Sequence, residues 1–245
     1  MLESKFSSWK EFYKIRQKYC TLDHRPFYDV VAKYLPKDEN ANIVDIGSGE
    51  GDFIEHLQLA TKYKNIFLLD RNPLTIERVK NRFKNDVKAI YYKVPDRIPF
   101  EDTSINYINC SHLLEHLYPY EFYQLLKEID RILAVNGILA ISMPLLWDGF
   151  YGDISHIKPY NPWVILKYLC YEPHDYSQEG ISQRYVQLEL IFRYTSYNFD
   201  DSWGSDYKPF DLILYLLKKI LTKLKIRKYQ KNGYTIILQK NNKNF

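Results

Sequence analysis

A chain of 245 residues has the length of one α/β domain with an insertion or cap, and its 46% hydrophobic and 26% charged residues are those of an ordinary folded protein. A net charge of +4 excludes the strong basic bias of a dedicated nucleic-acid binder. The three cysteines, Cys20, Cys110 and Cys170, form no CxxC pair, and no run is long and apolar enough to cross a bilayer. With no signal-peptide core in "MLESKFSSWKEF", the expected location is a reducing cytoplasm.

In chain order, residues 4–35 read as helical, with Trp9, Phe12, Tyr13 and Arg16 at helical spacing, Pro26 interrupting the pattern and Pro36 closing it. The expected division is an N-terminal helical cap over residues 1–36 and a main domain over residues 37–245. The main domain opens with "NIVDIG", a short apolar strand ending in glycines, and "DFIEHLQLATKY" follows at helical period. Strands "NIFLLD", "KAIYYKV", "INYINCS" and "GILAISMP" come next. Between them lie the helices "NPLTIERVKNRFK", with Asn72 as its cap, and "PYEFYQLLKEIDRIL", stopped by Asn136-Gly137. Strands alternating with helices predict a mostly parallel sheet covered on both faces. Ligands of such sheets sit beyond the carboxyl ends of the strands, here residues 45–52, 70–72, 94–97 and 109–116. Residues 145–208, rich in Tyr, Trp, Pro and Asp, read as an acceptor-side insertion with one helix near 162–170. An amphipathic helix over 209–226 and the strand "GYTIILQK" complete the chain.

The stretch "GSGEGDF" puts Gly47, Gly49 and Gly51 after the first strand, where glycine lets the backbone turn tightly against a ligand. A dinucleotide loop reads GxGxxG and sets pyrophosphate on a helix N-terminus. Here the spacing is GxGxG, with Glu50 and Asp52 where phosphates would be repelled. A cofactor without phosphates, carrying an ammonium and a sulfonium, has no such conflict; S-adenosylmethionine fits that description. Asp70, at the end of the second strand, stands about twenty residues on, where an acid accepts ribose hydroxyls.

Over residues 41–145 the sequence resembles the class I S-adenosylmethionine-dependent methyltransferases, small-molecule type: "VDIGSGEG", "LLDRNP", "RIPFEDTSINYINCSHLLEHL" and "LLKEIDRILAVNGILAISMP" follow that family's motifs in order. The resemblance implies a Rossmann-like, mostly parallel seven-stranded α/β sheet and S-adenosylmethionine as cofactor. It implies that Asp45 and the backbone of Gly47, Ser48 and Gly49 hold the methionine part, that Asp70 holds the ribose, and that Arg71, Pro95 and Asp96 flank the adenine. Cys110 and Ser111 would lie under the cofactor. The sequence departs from the family at Asn106, commonly Asp, and at Val94-Pro95-Asp96, which lacks the usual Gly-Asp pair.

Methyl transfer to an alcohol is helped by a base. Proteins of the resembling type often carry a histidine followed by a proline and an aromatic after the fifth strand, at the acceptor side. His156 is the expected base on that ground, with Asp153 as its orienter. An alternative gathers His112, Glu115, His116 and His156 around a divalent ion, as some RNA 2′-O-methyltransferases do with an ExxEH motif and a later histidine; this chain reads HxxEH. If "SHLLEHL" is helical, His112 and His116 share a face. The cap residues Trp147, Tyr151, Tyr160, Trp163, Arg184, Tyr185 and Arg193 suit a sugar, nucleotide or phosphorylated acceptor or pack the cap itself. The expected activity is O-methylation of a small molecule: a sugar, sugar nucleotide or surface-polysaccharide unit. The alternatives are metal-assisted RNA 2′-O-methylation and non-catalytic binding of the cofactor. The basic helix 209–231 reads first as a crossover helix with one face on the sheet, and second as a peripheral membrane contact.

Overall fold

In a computed structural model, the structure describes residues 9–171, 179–197, 208–223 and 227–242. Seven strands form one sheet: β1 (Asn42–Ile46), β2 (Asn65–Asp70), β3 (Lys88–Tyr91), β4 (Ile105–Ser111), β5 (Leu133–Pro144), β6 (Tyr185–Tyr197) and β7 (Lys228–Lys240). Their order is β3-β2-β1-β4-β5-β7-β6. Strands β3 through β5 are parallel, and β7 runs antiparallel to β5. The order reverses at β1, whose neighbours are β2 and β4, so the carboxyl ends of these strands open the crevice where such sheets bind ligands. Ile43, Val44 and Ile46 of β1 are wholly buried, as a central parallel strand covered on both faces requires.

The helices are α1 (Trp9–Lys18), α2 (Arg25–Val31), α3 (Asp52–His56), α4 (Pro73–Phe83), α5 (Pro119–Ile132), α6 (Pro162–Leu169) and α7 (Lys208–Lys223). Proline in the first turn starts α4, α5 and α6, where its missing N–H costs nothing. The Asn72 side chain caps α4 by accepting from Leu74 N at 3.0 Å, and Asn161 caps α6 by accepting from Trp163 N at 3.1 Å.

Contacts divide the chain into two compact units, one of residues 24–191 with 233–245 and one of residues 1–23 with 192–232. In the smaller unit, Tyr194 N donates to Tyr19 O at 2.9 Å and the buried Arg193 guanidinium donates to Asn232. In the larger unit, Lys240 is buried at the junction of α5 and β5, where its Nζ donates to Leu133 O at 3.0 Å and also reaches Asp130. Asn106 Oδ1 accepts from Asn42 N at 2.9 Å and so ties the start of β1 to β4.

Several elements differ from the pattern expected of the sequence. The interruption expected at Pro26 falls earlier, between Lys18 and Arg25, and Pro26 itself sits in the first turn of α2. The helix after the glycine loop ends at His56, because Gln58 takes a left-handed φ of 53° before a short 3₁₀ turn over Leu59–Thr61. Helix α5 stops at Ile132, and Leu133 passes directly into β5. The residues around Asn136, with its φ of 64°, form a bulge between the pairings Ile105–Leu133 and Tyr107–Ile138. The apolar stripe of α7, expected against the sheet, is exposed.

Candidate active site

The glycine loop is set by backbone bonds to the neighbouring strand: Gly47 N and Ser48 N both donate to Leu69 O, at 2.8 and 3.1 Å. Two glycines are required by space as well as by conformation. Gly47 has a φ of +73°, and a Cβ there would stand 3.0 Å from Leu113 Cβ; Gly51 has a φ of +83°, and a Cβ there would meet the Phe83 ring at 2.7 Å. Asp70 buttresses the loop, accepting from Gly49 N at 3.0 Å through Oδ2 and from Asn72 N at 2.8 Å through Oδ1. A carboxylate has about four acceptor positions, so Asp70 keeps room for hydroxyl donors.

The acids of the loop serve another purpose than the one their charge suggests. Glu50 pairs with Arg78 at 2.8 Å, and Asp52 faces Arg82 at 3.7 Å. Both arginines belong to α4, and neither acid lines the cleft. Expected to repel a phosphate, they also dock α4 to the loop.

The cleft has a volume of about 310 Å³. Gly47, Gly49, Asp70, Arg71, Tyr92, Lys93 and Val94 line one part of it, and His112, Leu113, His116, Leu117, Glu121 and Ser155 line the other. Asp45 does not reach the cleft. It is 3% exposed and accepts from Asn109 Nδ2 at 2.7 Å. Burial pushes its carboxyl up to about 7, with the Asn109 bond pulling the other way. Pro95 and Asp96 are exposed and outside the lining, which Tyr92, Lys93 and Val94 supply instead. Cys110 is buried beneath the site, its thiol pushed well up by burial. Ser48 Oγ and Ser111 Oγ are buried without a partner among the described residues. Ser48 belongs to the loop and Ser111 ends β4, and such orphaned hydroxyls fit a site that receives a polar ligand. Open space at Gly49, a ribose-type acid with spare acceptors and two unspent hydroxyls suit S-adenosylmethionine.

At the far end, His112 has a φ of 55°, and only Leu114–His116 form a 3₁₀ turn, so the two histidines of "SHLLEHL" do not share a helical face. His112 Nδ1 lies 3.0 Å from Glu115 Oε1. Glu115 is 0% exposed, its Oε2 has no partner among the described residues, and its carbonyl accepts from Ile157 N at 2.8 Å and Lys158 N at 3.2 Å. These bonds bring the segment after β5 against the turn. The rings of His116 and His156 then lie 4.9 Å apart. His156 Nδ1 is 2.6 Å from the Phe150 carbonyl oxygen, which only accepts, so Nδ1 carries the hydrogen and Nε2 is the open acceptor of the neutral ring. His116 Nδ1 donates in the same way to Ser155 O and Oγ, both at 3.1 Å.

Asp153, the expected orienter of His156, stays within ion-pair reach of it but is shared with Ser155. Asp153 Oδ2 stands 4.0 Å from His156 Nε2, and Oδ1 is taken by Ser155, from N at 2.8 Å and Oγ at 2.6 Å. Phe150 orients His156; Asp153 supports His116 through Ser155. The Ser155 bonds hold the Asp153 carboxyl below its ordinary value. Of the four candidate metal ligands, Glu115, His116 and His156 come together with ligand atoms within 4.8 Å of one another, while His112 serves Glu115. Two imidazoles and a carboxylate suit Zn²⁺, Mn²⁺ or Fe²⁺.

Of the cap aromatics, Tyr160 is spent on packing, stacked on Phe122 at 4.1 Å, and Tyr185 is buried. Arg184 pairs with Asp130 at 3.1 Å, whereas Tyr151 and Trp163 are exposed. The sequence reading did not single out Tyr92, Lys93, Leu113, Glu121 or Ser155. Of these only Ser155 had a local signal, in the Asp-x-Ser spacing that closes a turn on Asp153.

Residues 44–141 match the family model described as a methyltransferase domain. No curated protein matches the chain by sequence. Among solved structures, the chain is similar to an S-adenosylmethionine-dependent methyltransferase from Archaeoglobus fulgidus, with a TM-score of 0.59, 18% identity and coverage of 94% of this chain and 99% of the other. It is similar to the YcgJ protein of Bacillus subtilis, with a TM-score of 0.59, 12% identity and coverage of 89% and 98%. It is also similar to the [4+2]-cyclase SpnF, with a TM-score of 0.55, 14% identity and coverage of 89% and 81%. At these identities the likeness shows the fold.

Proposed function

We propose that the chain is a class I S-adenosylmethionine-dependent methyltransferase that methylates a hydroxyl of a small polar acceptor: a sugar, a sugar nucleotide or a unit of a surface polysaccharide. The bound cofactor supplies a methyl carbon already activated by sulfonium. Asp70 and the Gly47–Gly49 backbone hold the cofactor, and the acceptor enters beside His116. The His116–His156 pair would take the proton of the acceptor hydroxyl, and the cofactor when bound would supply the methyl group. The observation that carries this reading is that His116 lines the same cleft as Gly47, Gly49 and Asp70 while its Nδ1 is held by Ser155, which leaves Nε2 as an acceptor. Glu121 and Ser155, on the same part of the cleft wall as His116, suit a hydroxyl-rich acceptor better than an apolar one. The test is a mass-spectrometric screen of sugars, nucleotide sugars and oligosaccharides with the cofactor. Gain of one methyl group, lost in His116→Ala, supports the reading. Cofactor binding without turnover on any hydroxylated acceptor sinks it and leaves a binding protein.

A second reading is favoured by the buried, unpartnered Glu115 Oε2. Glu115, His116 and His156 would hold a divalent ion that polarises the acceptor hydroxyl in place of a histidine base. This is the metal-assisted chemistry that an RNA ribose hydroxyl would also use.

A further inference from the structure

Helix α7 leaves uncovered the face that its sequence marks for burial. Ile213, Leu216, Leu217 and Ile220 recur at i, i+3, i+4 and i+7, the spacing of one helical stripe, yet they are 57%, 52%, 49% and 53% exposed. A helix of this length runs about 24 Å. Apolar side chains along one such line are ordinarily turned to a core, so the stripe marks an interaction surface.

The charge around the stripe says what covers it. Lys218, Lys219 and Lys223 lie on α7, and Arg227, Lys228 and Lys231 follow. Residues 208–231 hold eight basic residues against the single acid Asp211, a net +7, while the whole chain is +4. The rest of the chain therefore carries −3, and the basic charge is concentrated beside the stripe. Tyr215, 50% exposed, lies on the other side of α7 from the stripe, with Lys219 Nζ 4.6 Å from its centroid.

We propose that α7 is a docking surface for an anionic phospholipid membrane, lying in the plane of the headgroups with Ile213, Leu216, Leu217 and Ile220 turned into the acyl boundary. An apolar stripe flanked by lysines is the pattern of an interfacial helix, and the basic cluster meets the negative surface potential of the lipid. A second copy of the chain would set +7 against +7. A nucleic acid would satisfy the lysines but leave the apolar stripe in water. No helix among the described residues is long and apolar enough to cross a membrane, so the attachment is peripheral.

The test is co-sedimentation of the full chain with vesicles of phosphatidylcholine alone and of phosphatidylcholine mixed with phosphatidylglycerol. Binding is expected to the mixed vesicles, much weaker binding to the neutral ones, and weakening with added salt. Leu216→Glu with Ile220→Glu should lower vesicle affinity at least about tenfold. The triple exchange of Lys218, Lys219 and Lys223 to Gln should remove the preference for phosphatidylglycerol. All five sites lie outside the cofactor cleft, so an unchanged thermal shift with S-adenosylmethionine reports that each variant is folded. Failure to bind mixed vesicles, or equal binding by the Glu variant, overturns the proposal. So does a dimer, seen by light scattering, that the Glu variant abolishes while vesicle binding is absent. Vesicle binding is read without turnover, so its failure is distinct from failure of the proposed methylation.

Discussion

His116 and His156 stand with ring centroids 4.9 Å apart and planes inclined at 56°, and each spends its Nδ1 hydrogen on a backbone carbonyl oxygen. Backbone acceptors thus fix the tautomer of both rings and leave two Nε2 lone pairs in one small volume. If the pair acts as the base, His116→Ala should lower kcat by about 10²- to 10⁴-fold with little change in cofactor affinity. Single-turnover kinetics with the acceptor found in the screen measure this. His116→Ala within a few-fold of wild type would remove the base from this position.

Glu115 separates the base from the metal. Glu115→Gln keeps shape and the contact to His112 but removes a charged ligand. A base mechanism should tolerate it within about tenfold, whereas an ion site should lose about 10- to 100-fold in metal affinity. Equilibrium dialysis of the cofactor-free protein against Zn²⁺ or Mn²⁺, followed by elemental analysis, reads the ion without reference to turnover. Stoichiometric metal in the wild type, absent from the variant, would establish the ion site.

Asp70 should be the costliest single loss on the cofactor side. Asp70→Ala strips acceptors from Gly49 N and Asn72 N as well as from the ribose. Calorimetry should show S-adenosylmethionine affinity falling by about 10- to 100-fold, on the order of 1.4–3 kcal/mol. Glu50→Gln and Asp52→Asn make the opposite case. With those acids turned to Arg78 and Arg82, the same titration should stay within about threefold of wild type.

Asp45 predicts a pH signature in stability. Its carboxyl is raised by burial from 3.8 to about 7, so between those values the folded state holds a proton that the unfolded state has released. Its contribution therefore falls as pH rises from about 4 to about 7 and levels off above. Asp45→Asn keeps an acceptor for Asn109 and cannot ionise, so the variant should gain Tm relative to wild type as pH is raised from 5 to 8. Thermal unfolding at several pH values checks it, and parallel curves for the two proteins would contradict it.

The alternation of strands and helices was legible because it rests on local periods: the buried run of β1, the proline starts of α4, α5 and α6, and the glycines that only one kind of turn demands. The order of the strands in the sheet, and with it the switch point at β1, is given by the structure alone. What was not legible depended on partners far along the chain. Nothing near Glu50 announces Arg78, 28 residues on. His156 is oriented by the carbonyl of Phe150, and a backbone oxygen has no sequence signature. Asp153 lies three residues from His156, yet a serine between them captures it. The stripe of α7 shows the same limit: periodicity identifies a face, and only the structure says whether anything lies on it.

The carbonyl of Glu115 accepts from both Ile157 N and Lys158 N. One peptide group thereby clasps the segment beyond β5 to the end of the segment beyond β4. Phe150, wholly buried in the segment between Leu146 and Ile154, holds His156 through its carbonyl, so a change of length there would shift one imidazole against the other although the clasp itself stayed closed.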